Sequence, residues 1–277
     1  MRVGIISDIH ANLPALEAVI KDMENENIHH IICLGDIIGY GPFPEECLKR
    51  VRDVTSYVIM GNHEAAAAGL FDVNLFHDEA KEHILWTRDQ LSQEELSYIK
   101  NLHYMLDFDD FLVIHGGLPD PDYFPYIETE EEARATFAET DSRLIFVGHT
   151  HLPLIHRISH HDEYITVSKE EVRLNPKWRY IVNPGAVGLS RDAVFSAGYS
   201  IYDSDLHKVF FKRVRYSLKP LYDAIREMAK SPEHLNVLME RFRPPNTLNI
   251  KKASPNKISK SALQEAAERY KKMYNHQ

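Results

Sequence analysis

The chain has 277 residues, of which 44% are hydrophobic, and a formal net charge of −9 at pH 7. The acidic balance argues against duplex nucleic acid as the main partner, and the lack of any run of about 18 apolar residues argues against a membrane span. The two cysteines are too few for a disulfide scaffold and are not spaced as a zinc-binding pair. Because the N-terminal sequence also becomes polar by Ser7, too early for the apolar region of a secretion signal, we expect a reducing, cytoplasmic environment.

The first 60 residues alternate between short apolar runs and amphipathic stretches. The runs at 2–7, 31–34 and 55–60 predict strands, and the stretches at 14–25 and 44–51 predict helices. This alternation predicts parallel strands joined by right-handed crossovers.

The rest of the chain is predicted to pass from helices to strands and back to helices. Helices are expected at 65–68, 74–91, 93–101 and 130–139, the third opened by a capping box between Ser92 and Glu95. Strands are expected as hairpins at 104–108 with 111–114 and at 154–159 with 163–168, and singly at 144–147, 178–182, 197–202 and 208–214, with an irregular loop at 119–128. After residue 217 the pattern is helical to about residue 243, and the tail at 251–277 carries seven basic and two acidic side chains. We interpret this tail as a solvated terminal helix, with contact to an acidic partner surface as the alternative.

Five polar motifs each follow a predicted strand. They are Asp8-Ile9-His10, Gly35-Asp36, Gly61-Asn62-His63-Glu64, His115-Gly116-Gly117 and Gly148-His149-Thr150-His151. Loops at strand ends converge at one edge of an α/β sheet, and glycine lets the backbone turn sharply there. We therefore expect the five motifs to form a single site.

These motifs supply seven side chains that can bind metal ions. They are Asp8, His10, Asp36, Asn62, His115, His149 and His151. Residues two apart in extended backbone face the same side. Asp8 and His10 can therefore face one ion together, and so can His149 and His151. Seven oxygen and nitrogen donors are too many for one ion but enough for two, with Asp36 as the natural bridge because a carboxylate has two oxygens. The absence of a thiolate favours Mn²⁺, Fe or Zn²⁺.

The charge of such a site points to a phosphate substrate. Two divalent ions and two aspartates leave a net charge of about +2, which suits a phosphate oxyanion. Two metals roughly 3.5–4 Å apart can clamp the phosphoryl oxygens, and a water held between them would ionise to hydroxide and attack phosphorus in line.

The ordered motifs DIH, GD, GNHE, HGG and GHTH resemble those of the calcineurin-like, binuclear metallophosphoesterase superfamily. The stretch Asn183–Gly188 (NPGAVG), followed by Arg191 and Asp192, resembles small bacterial and archaeal phosphodiesterase members. The resemblance implies a four-layer α/β/β/α sandwich, with a metallophosphoesterase domain at 1–216 and a helical C-terminal extension with a basic tail at 217–277.

The resemblance also implies a role for each site residue. One metal would be held by Asp8, His10 and His151, the other by Asn62, His115 and His149, with Asp36 bridging the two. His63 would be the acid that protonates the leaving group or a residue that stabilises the transition state.

One motif departs from the pattern GDxxDRG of protein phosphatases and of the dinucleoside tetraphosphatases that resemble them. Gly39 stands where an aspartate would orient the catalytic histidine, and Tyr40 stands where an arginine would bind phosphate. These departures argue against phosphoprotein or tetraphosphate substrates and leave His63 without an identified partner. A less charged pocket favours a diester monoanion.

Several neighbouring residues have two interpretations. Arg191 is either a phosphate contact or a surface residue, Tyr40 either packs in the core or touches substrate, and Asn12 either caps a helix or lines the pocket. Glu64 is expected to cap the helix that follows it. The aromatic residues of the 119–128 loop either line the site or pack locally.

We therefore expect a metal-dependent phosphodiesterase acting on a small-molecule phosphoester. The alternatives are a phosphomonoesterase or nucleotide pyrophosphatase that uses the same two metals, and a non-catalytic binding scaffold. A nuclease is disfavoured by the acidic body of the chain, although the basic tail leaves that possibility open.

Overall fold

The structure is a computed structural model that describes residues 1–192, 196–229 and 231–242. Within these residues the strands are β1 (Arg2–Ile6), β2 (His30–Cys33), β3 (Tyr57–Val58), β4 (Met105–Asp107), β5 (Leu112–Ile114), β6 (Leu144–Phe146), β7 (Pro153–Ser159), β8 (Tyr164–Val167), β9 (Glu171–Arg173), β10 (Trp178–Pro184), β11 (Ala197–Asp203) and β12 (Lys208–Val214). The helices are α1 (Leu13–Glu24), α2 (Pro44–Val54), α3 (Asn62–Ala67), α4 (Asp78–Gln90), α5 (Gln93–Lys100), α6 (Glu130–Ala138), α7 (Lys219–Met228) and α8 (Pro232–Arg241).

The strands form two mixed sheets of six strands each. The first has the order β3-β2-β1-β11-β12-β9, and the second has the order β4-β5-β6-β10-β7-β8. The predicted parallel pairing of β1, β2 and β3 is confirmed, and so are the two antiparallel hairpins, β4 with β5 and β7 with β8. Because β5, β6 and β10 are parallel neighbours, the second sheet also brings several carboxyl ends to one edge.

The two sheets pack face to face, with helices on both outer faces. Alternate residues of each strand point to opposite sides, so Ile5 of β1 lies in the apolar layer between the sheets, whereas Ile6 lies in the layer beneath α1 and α2. On the second sheet, Phe146 faces the same inner layer and Ile145 packs against α6. The expected α/β/β/α sandwich is confirmed.

Three local expectations differ from the structure. The strand expected at 55–60 is regular only over Tyr57–Val58, and Ile59 adds an isolated bridge to His103 before the chain turns into the Gly61 loop. The helix expected at 74–91 is divided into a short turn and α4, because Phe76 and His77 have extended backbone and His77 then caps α4 by accepting a hydrogen bond from the backbone N–H of Ala80. The edge strand β9 was not expected, because three residues are too few to show a periodic pattern.

The helices α7 and α8 pack on the body of the molecule through their own apolar cluster. Leu221, Leu238 and Phe242 are buried there together with Tyr40 and Leu189, which belong to loops near the predicted site. The predicted tail at 251–277 lies outside the described residues. Over the described part of the chain, none of the helices combines the length and apolar character needed to cross a membrane.

Candidate metal centre

The five motifs meet where the strands of both sheets end. Asp8 follows β1, Asp36 follows β2, Asn62 opens α3 after β3, His115 follows β5, and His149 and His151 follow β6. These six residues and His10, which together are the seven potential ligands, are all buried. Their convergence results from the parallel pairing, since the carboxyl ends of parallel strands share an edge.

The potential ligands form two groups that share one residue. The ligand atoms of Asp8, His10, Asp36 and His151 all lie within 4.8 Å of one another, and the same holds for Asp36, His115 and His149. Asn62 joins the second group, with its Oδ1 3.2 Å from Nε2 of His115. Asp36 is common to both groups, which is the arrangement that a bridging carboxylate requires.

The hydrogen bonds of the histidines show which ring nitrogen is free to bind a cation. The Nδ1 atoms of His115 and His151 each lie 2.6 Å from a backbone carbonyl oxygen, and Nδ1 of His10 lies 3.3 Å from another. A carbonyl can only accept, so each Nδ1 carries a hydrogen, and each ring presents a lone pair at Nε2 when it is neutral.

These lone pairs point at one another and at carboxylate oxygens. Nε2 of His10 lies 3.1 Å from Nε2 of His151, which lies 3.3 Å from Oδ1 of Asp8, and Oδ2 of Asp36 lies 3.3 Å from Nε2 of His115. Buried acceptors this close repel one another unless a positive charge lies among them. The donor set therefore fits metal cations held by nitrogen and oxygen.

Burial sets the protonation of these groups. It lowers the pKa of His10, His149 and His151 well below the usual histidine value, so these rings are neutral near pH 7. Burial raises the pKa of Asp8 to about 7. Burial alone would lower the pKa of His115, but the neighbouring Asp36 carboxylate outweighs it and raises the value to about 9.

The backbone of the ligand loops is unusual. Five of the ligands have a positive φ, with values of 54° for Asp8, 48° for His10, 51° for Asp36, 67° for His149 and 62° for His151. This left-handed region is unfavourable for residues with a side chain and persists only where the surrounding structure enforces it. The loops are thus held in a fixed shape that aims side chains at the centre.

Glu64 is one of the residues that enforce this shape. Its buried carboxylate accepts four backbone hydrogen bonds, at 2.6 Å from Asp36, 2.8 Å from Ile37 and 3.0 Å from Ile38 and Gly61. The bond from Gly61 is the helix cap expected from the sequence, and the other three fasten the loop that carries Asp36. Burial raises the pKa of Glu64 to about 7, although the amide donors favour the anion.

Asn183 plays the same part for the loop that carries His149 and His151. Its Nδ2 donates to the carbonyl oxygen of Gly148 at 2.5 Å and to Oγ1 of Thr150 at 3.0 Å. From the sequence, Asn183 was recognised only as part of the NPGAVG stretch that resembles phosphodiesterase members, and this role was missed. The signal was the Asn-Pro-Gly sequence directly after a strand, which is typical of a tight turn whose asparagine bonds to nearby backbone.

His63 lies beside the centre and is held mainly by packing. Its backbone N–H donates to Oδ1 of Asp36 at 3.0 Å, and its ring packs against Tyr40, His10 and Phe76. Its Nδ1 is buried and has no hydrogen-bond partner among the described residues. Burial lowers the pKa of His63 to about 4, so the ring is neutral near pH 7.

The three residues expected as substrate contacts have different surroundings. Asn12 is buried, caps α1 by accepting from the N–H of Ala15 at 3.2 Å, and donates to the carbonyl of Gly188 at 2.8 Å, which favours the cap interpretation. Tyr40 is buried and packs on His63, which favours the packing interpretation. Arg191 is exposed, and its charge acts on the pKa values of both groups of ligands.

One aromatic residue of the 119–128 loop reaches the centre. The Tyr126 ring stacks on His149 with centroids 3.9 Å apart, and burial raises the pKa of its phenol, against which the nearby positive charge of Arg191 acts. Phe124 packs behind His115 at 5.8 Å, among other aromatic side chains. Tyr126 and Arg191 thus lie together at the mouth of the site.

Comparison with known proteins agrees with this geometry. Residues 1–205 match the model of the calcineurin-like phosphoesterase superfamily domain. An uncharacterized protein of Methanocaldococcus jannaschii is 32% identical over 227 residues, which are 80% of this chain and 91% of that protein. Phosphodiesterase YfcE of Escherichia coli is 22% identical over 219 residues, which are 76% of this chain and 91% of that protein.

Solved structures agree with the family at the level of the fold. A metallophosphoesterase from Sphaerobacter thermophilus is 36% identical, with a TM-score of 0.74, and the match covers 88% of this chain and 100% of that one. The resemblance that the five motifs indicated is thereby confirmed. The chain belongs to the calcineurin-like phosphoesterase superfamily, a family of metal-dependent phosphoesterases, and carries a buried group of metal-binding residues of the kind that this activity requires.

Proposed function

We propose that the protein is a phosphodiesterase that hydrolyses small-molecule phosphoesters at a centre of two divalent cations. The observation that carries the proposal is the pair of buried ligand groups that share Asp36. Support for the diester class comes from the phosphodiesterase named among the relatives and from Tyr40, a neutral side chain next to His63.

Two ligand sets would hold the cations. Asp8, His10 and His151 would bind one, Asn62, His115 and His149 the other, and Asp36 both. Such cations supply a Lewis acid that neutralises charge on the phosphoryl oxygens and acidifies a bound water. Nitrogen and oxygen donors accept Mn²⁺, Fe or Zn²⁺, and we propose Mn²⁺ as the native ion.

Arg191 would bind the substrate. It is exposed at the mouth of the site, close enough to Tyr126 for its charge to act on the pKa of that phenol, so its guanidinium is available to a non-bridging phosphoryl oxygen. A single cation of this kind suits the single negative charge of a diester.

His63 would act on the departing oxygen. Its neutral ring carries one N–H, which can donate a hydrogen bond to that oxygen as negative charge develops there. Transfer of a proton would need the imidazolium form of His63. The growing negative charge would favour that form by raising the pKa of the ring, solvent would supply the second proton, and the ring would return to its neutral form once the proton passes to the departing oxygen.

Cys33 and Cys47 are both buried and free, which is compatible with a reducing compartment. We propose a cytoplasmic location on this basis and on the composition.

The test measures metal content and hydrolysis on the same samples. The protein is stripped with chelator, reloaded with Mn²⁺, and assayed on bis(4-nitrophenyl) phosphate and 4-nitrophenyl phosphate. We expect activity only after reloading, with the diester hydrolysed faster. Asp36→Asn should lose both cations and nearly all turnover, whereas Asp162→Asn, on the exposed β7–β8 turn, should behave as wild type.

Two results would contradict the proposal. Full diester hydrolysis by the stripped protein would remove the role of the cations. A reloaded protein that is silent on diesters, monoesters and nucleotides alike would indicate a binding scaffold, and a faster rate on the monoester would indicate a phosphomonoesterase.

A further inference from the structure

A side chain from the C-terminal helix α8 reaches a residue that packs on His63. The guanidinium of Arg241 lies 4.2 Å from the centre of the Tyr40 ring. The Tyr40 ring in turn lies 4.7 Å from the ring of His63 and 4.9 Å from that of His10. Tyr40 is only 4% exposed, so it is enclosed between Arg241 and the two histidines.

Among the described residues, no side chain makes a hydrogen bond to Nδ1 of His63, so none orients the ring in this way. The neighbour on that side is Gly39, which has a φ of +87° and whose missing Cβ would lie 2.2 Å from Nδ1. A longer side chain at position 39 therefore has no room. The ring of His63 is positioned instead by the rings that pack on it, which are Tyr40 at 4.7 Å, His10 at 4.8 Å and Phe76 at 5.4 Å between centroids.

Arg241 is itself firmly placed. Its Nε donates to Oε1 of Glu79 at 2.8 Å, and its Nη2 lies 2.5 Å from Oε2 of the same carboxylate, so the pair is bidentate. The Arg241 side chain is 19% exposed. Leu238 and Phe242, on the same turn of chain, are buried against the body of the molecule. Helix α8 thus delivers a fixed cation to the outer face of Tyr40.

We propose that Arg241 is a positioning residue, which braces Tyr40 so that His63 keeps the orientation needed at the leaving group. In this arrangement α7 and α8 complete the catalytic site. The proposal rests on the function proposed above. A cation is attracted to the face of an aromatic ring, and a small misplacement of a reacting group can slow a reaction by up to about 100-fold.

The test compares two diesters that differ only in how much they need a proton at the leaving oxygen. In metal-loaded Arg241→Ala we expect kcat on methyl phenyl phosphate to fall by about tenfold, and kcat on methyl 4-nitrophenyl phosphate by less than about threefold, because 4-nitrophenolate leaves without protonation. KM and metal content should not change. Arg241→Lys, which keeps the cation, should recover part of the loss.

Two controls separate positioning from general stability. Arg226→Ala breaks an exposed ion pair with Asp223 in α7 and should leave both rates unchanged. In a His63→Ala background, Arg241→Ala should cause no further loss of kcat, because the ring that Arg241 helps to position is then absent. In metal-free protein, the ring protons of His63 should shift in the NMR spectrum of Arg241→Ala but not in that of Arg226→Ala.

An equal loss on both diesters, a full additional loss in the His63→Ala background, or wild-type rates in Arg241→Ala would overturn the proposal. Failure of the wild-type protein to hydrolyse either diester would instead overturn the function on which it rests.

Discussion

The two sides of the site are held in place by different forces. The loops that carry the metal ligands are fixed by buried hydrogen bonds, with Glu64 and Asn183 as the main acceptor and donor. The side that carries His63 is fixed by ring contacts with Tyr40 and by a C-terminal helix. A cation needs several ligands placed at once within a few tenths of an ångström, which directional bonds can ensure, whereas a proton donor needs one ring held within hydrogen-bond reach of the leaving atom, which packing can ensure.

The largest effect is expected from Glu64→Ala, which removes the hydrogen bonds that hold the loop carrying Asp36. Four buried N–H groups lose their acceptor, so the free energy of unfolding should fall by at least about 3 kcal/mol, and the loop that carries Asp36 should lose its shape. Urea unfolding of the metal-free protein and metal analysis of the reloaded protein check this. Glu95→Ala, which removes an exposed cap of α5, is the matched control and should keep its metals. Full metal content in Glu64→Ala would show that the loop holds its own shape.

His63→Ala should have the next largest effect and should leave the metal centre intact. The loss of one proton donor slows hydrolysis by about 10²–10⁴-fold, and the loss should be greater for a phenyl leaving group than for a 4-nitrophenyl one. Kinetics and metal content measured on the same preparation test this. If the metals are lost as well, then the packing around His63 also helps to hold the loops that carry the metal ligands.

The protonation of the metal ligands predicts that metal binding depends on pH. Burial raises the pKa of Asp8 to about 7, and Asp36 raises that of His115 to about 9, so a cation must displace protons from these ligands at lower pH. The apparent affinity should therefore fall as the pH is lowered from about 9 to about 6, by about tenfold per pH unit for each proton displaced. Metal retention after dialysis against a weak chelator at constant ionic strength measures this. Retention that does not vary with pH would show that the ligands bind without releasing protons.

The difference between the ligand loops and the packing around His63 also explains which features the sequence could predict. The ligands could be assigned because each stands directly after an apolar strand, and parallel pairing brings strand ends together. Glu64 was recognised only as a helix cap, because its bonds to Ile37 and Ile38 join segments far apart in the chain. The contact of Arg241 with Tyr40 has no local pattern at all, since it depends on how α8 packs.

The smallest effect is expected at the mouth of the site, where Tyr126 stacks on His149 and its phenol lies near the charge of Arg191. Tyr126→Phe keeps the stacked ring and removes only the hydroxyl group, so metal content and kcat should be unchanged. The phenol oxygen attracts the guanidinium, but Arg191 is exposed and solvent replaces part of that attraction, so we expect KM for the diester to rise by about three- to tenfold. Tyr57→Phe, which removes an exposed phenol on β3, is the control. If kcat falls instead of KM rising, Tyr126 acts through His149 and the stacked ring belongs to the metal centre itself.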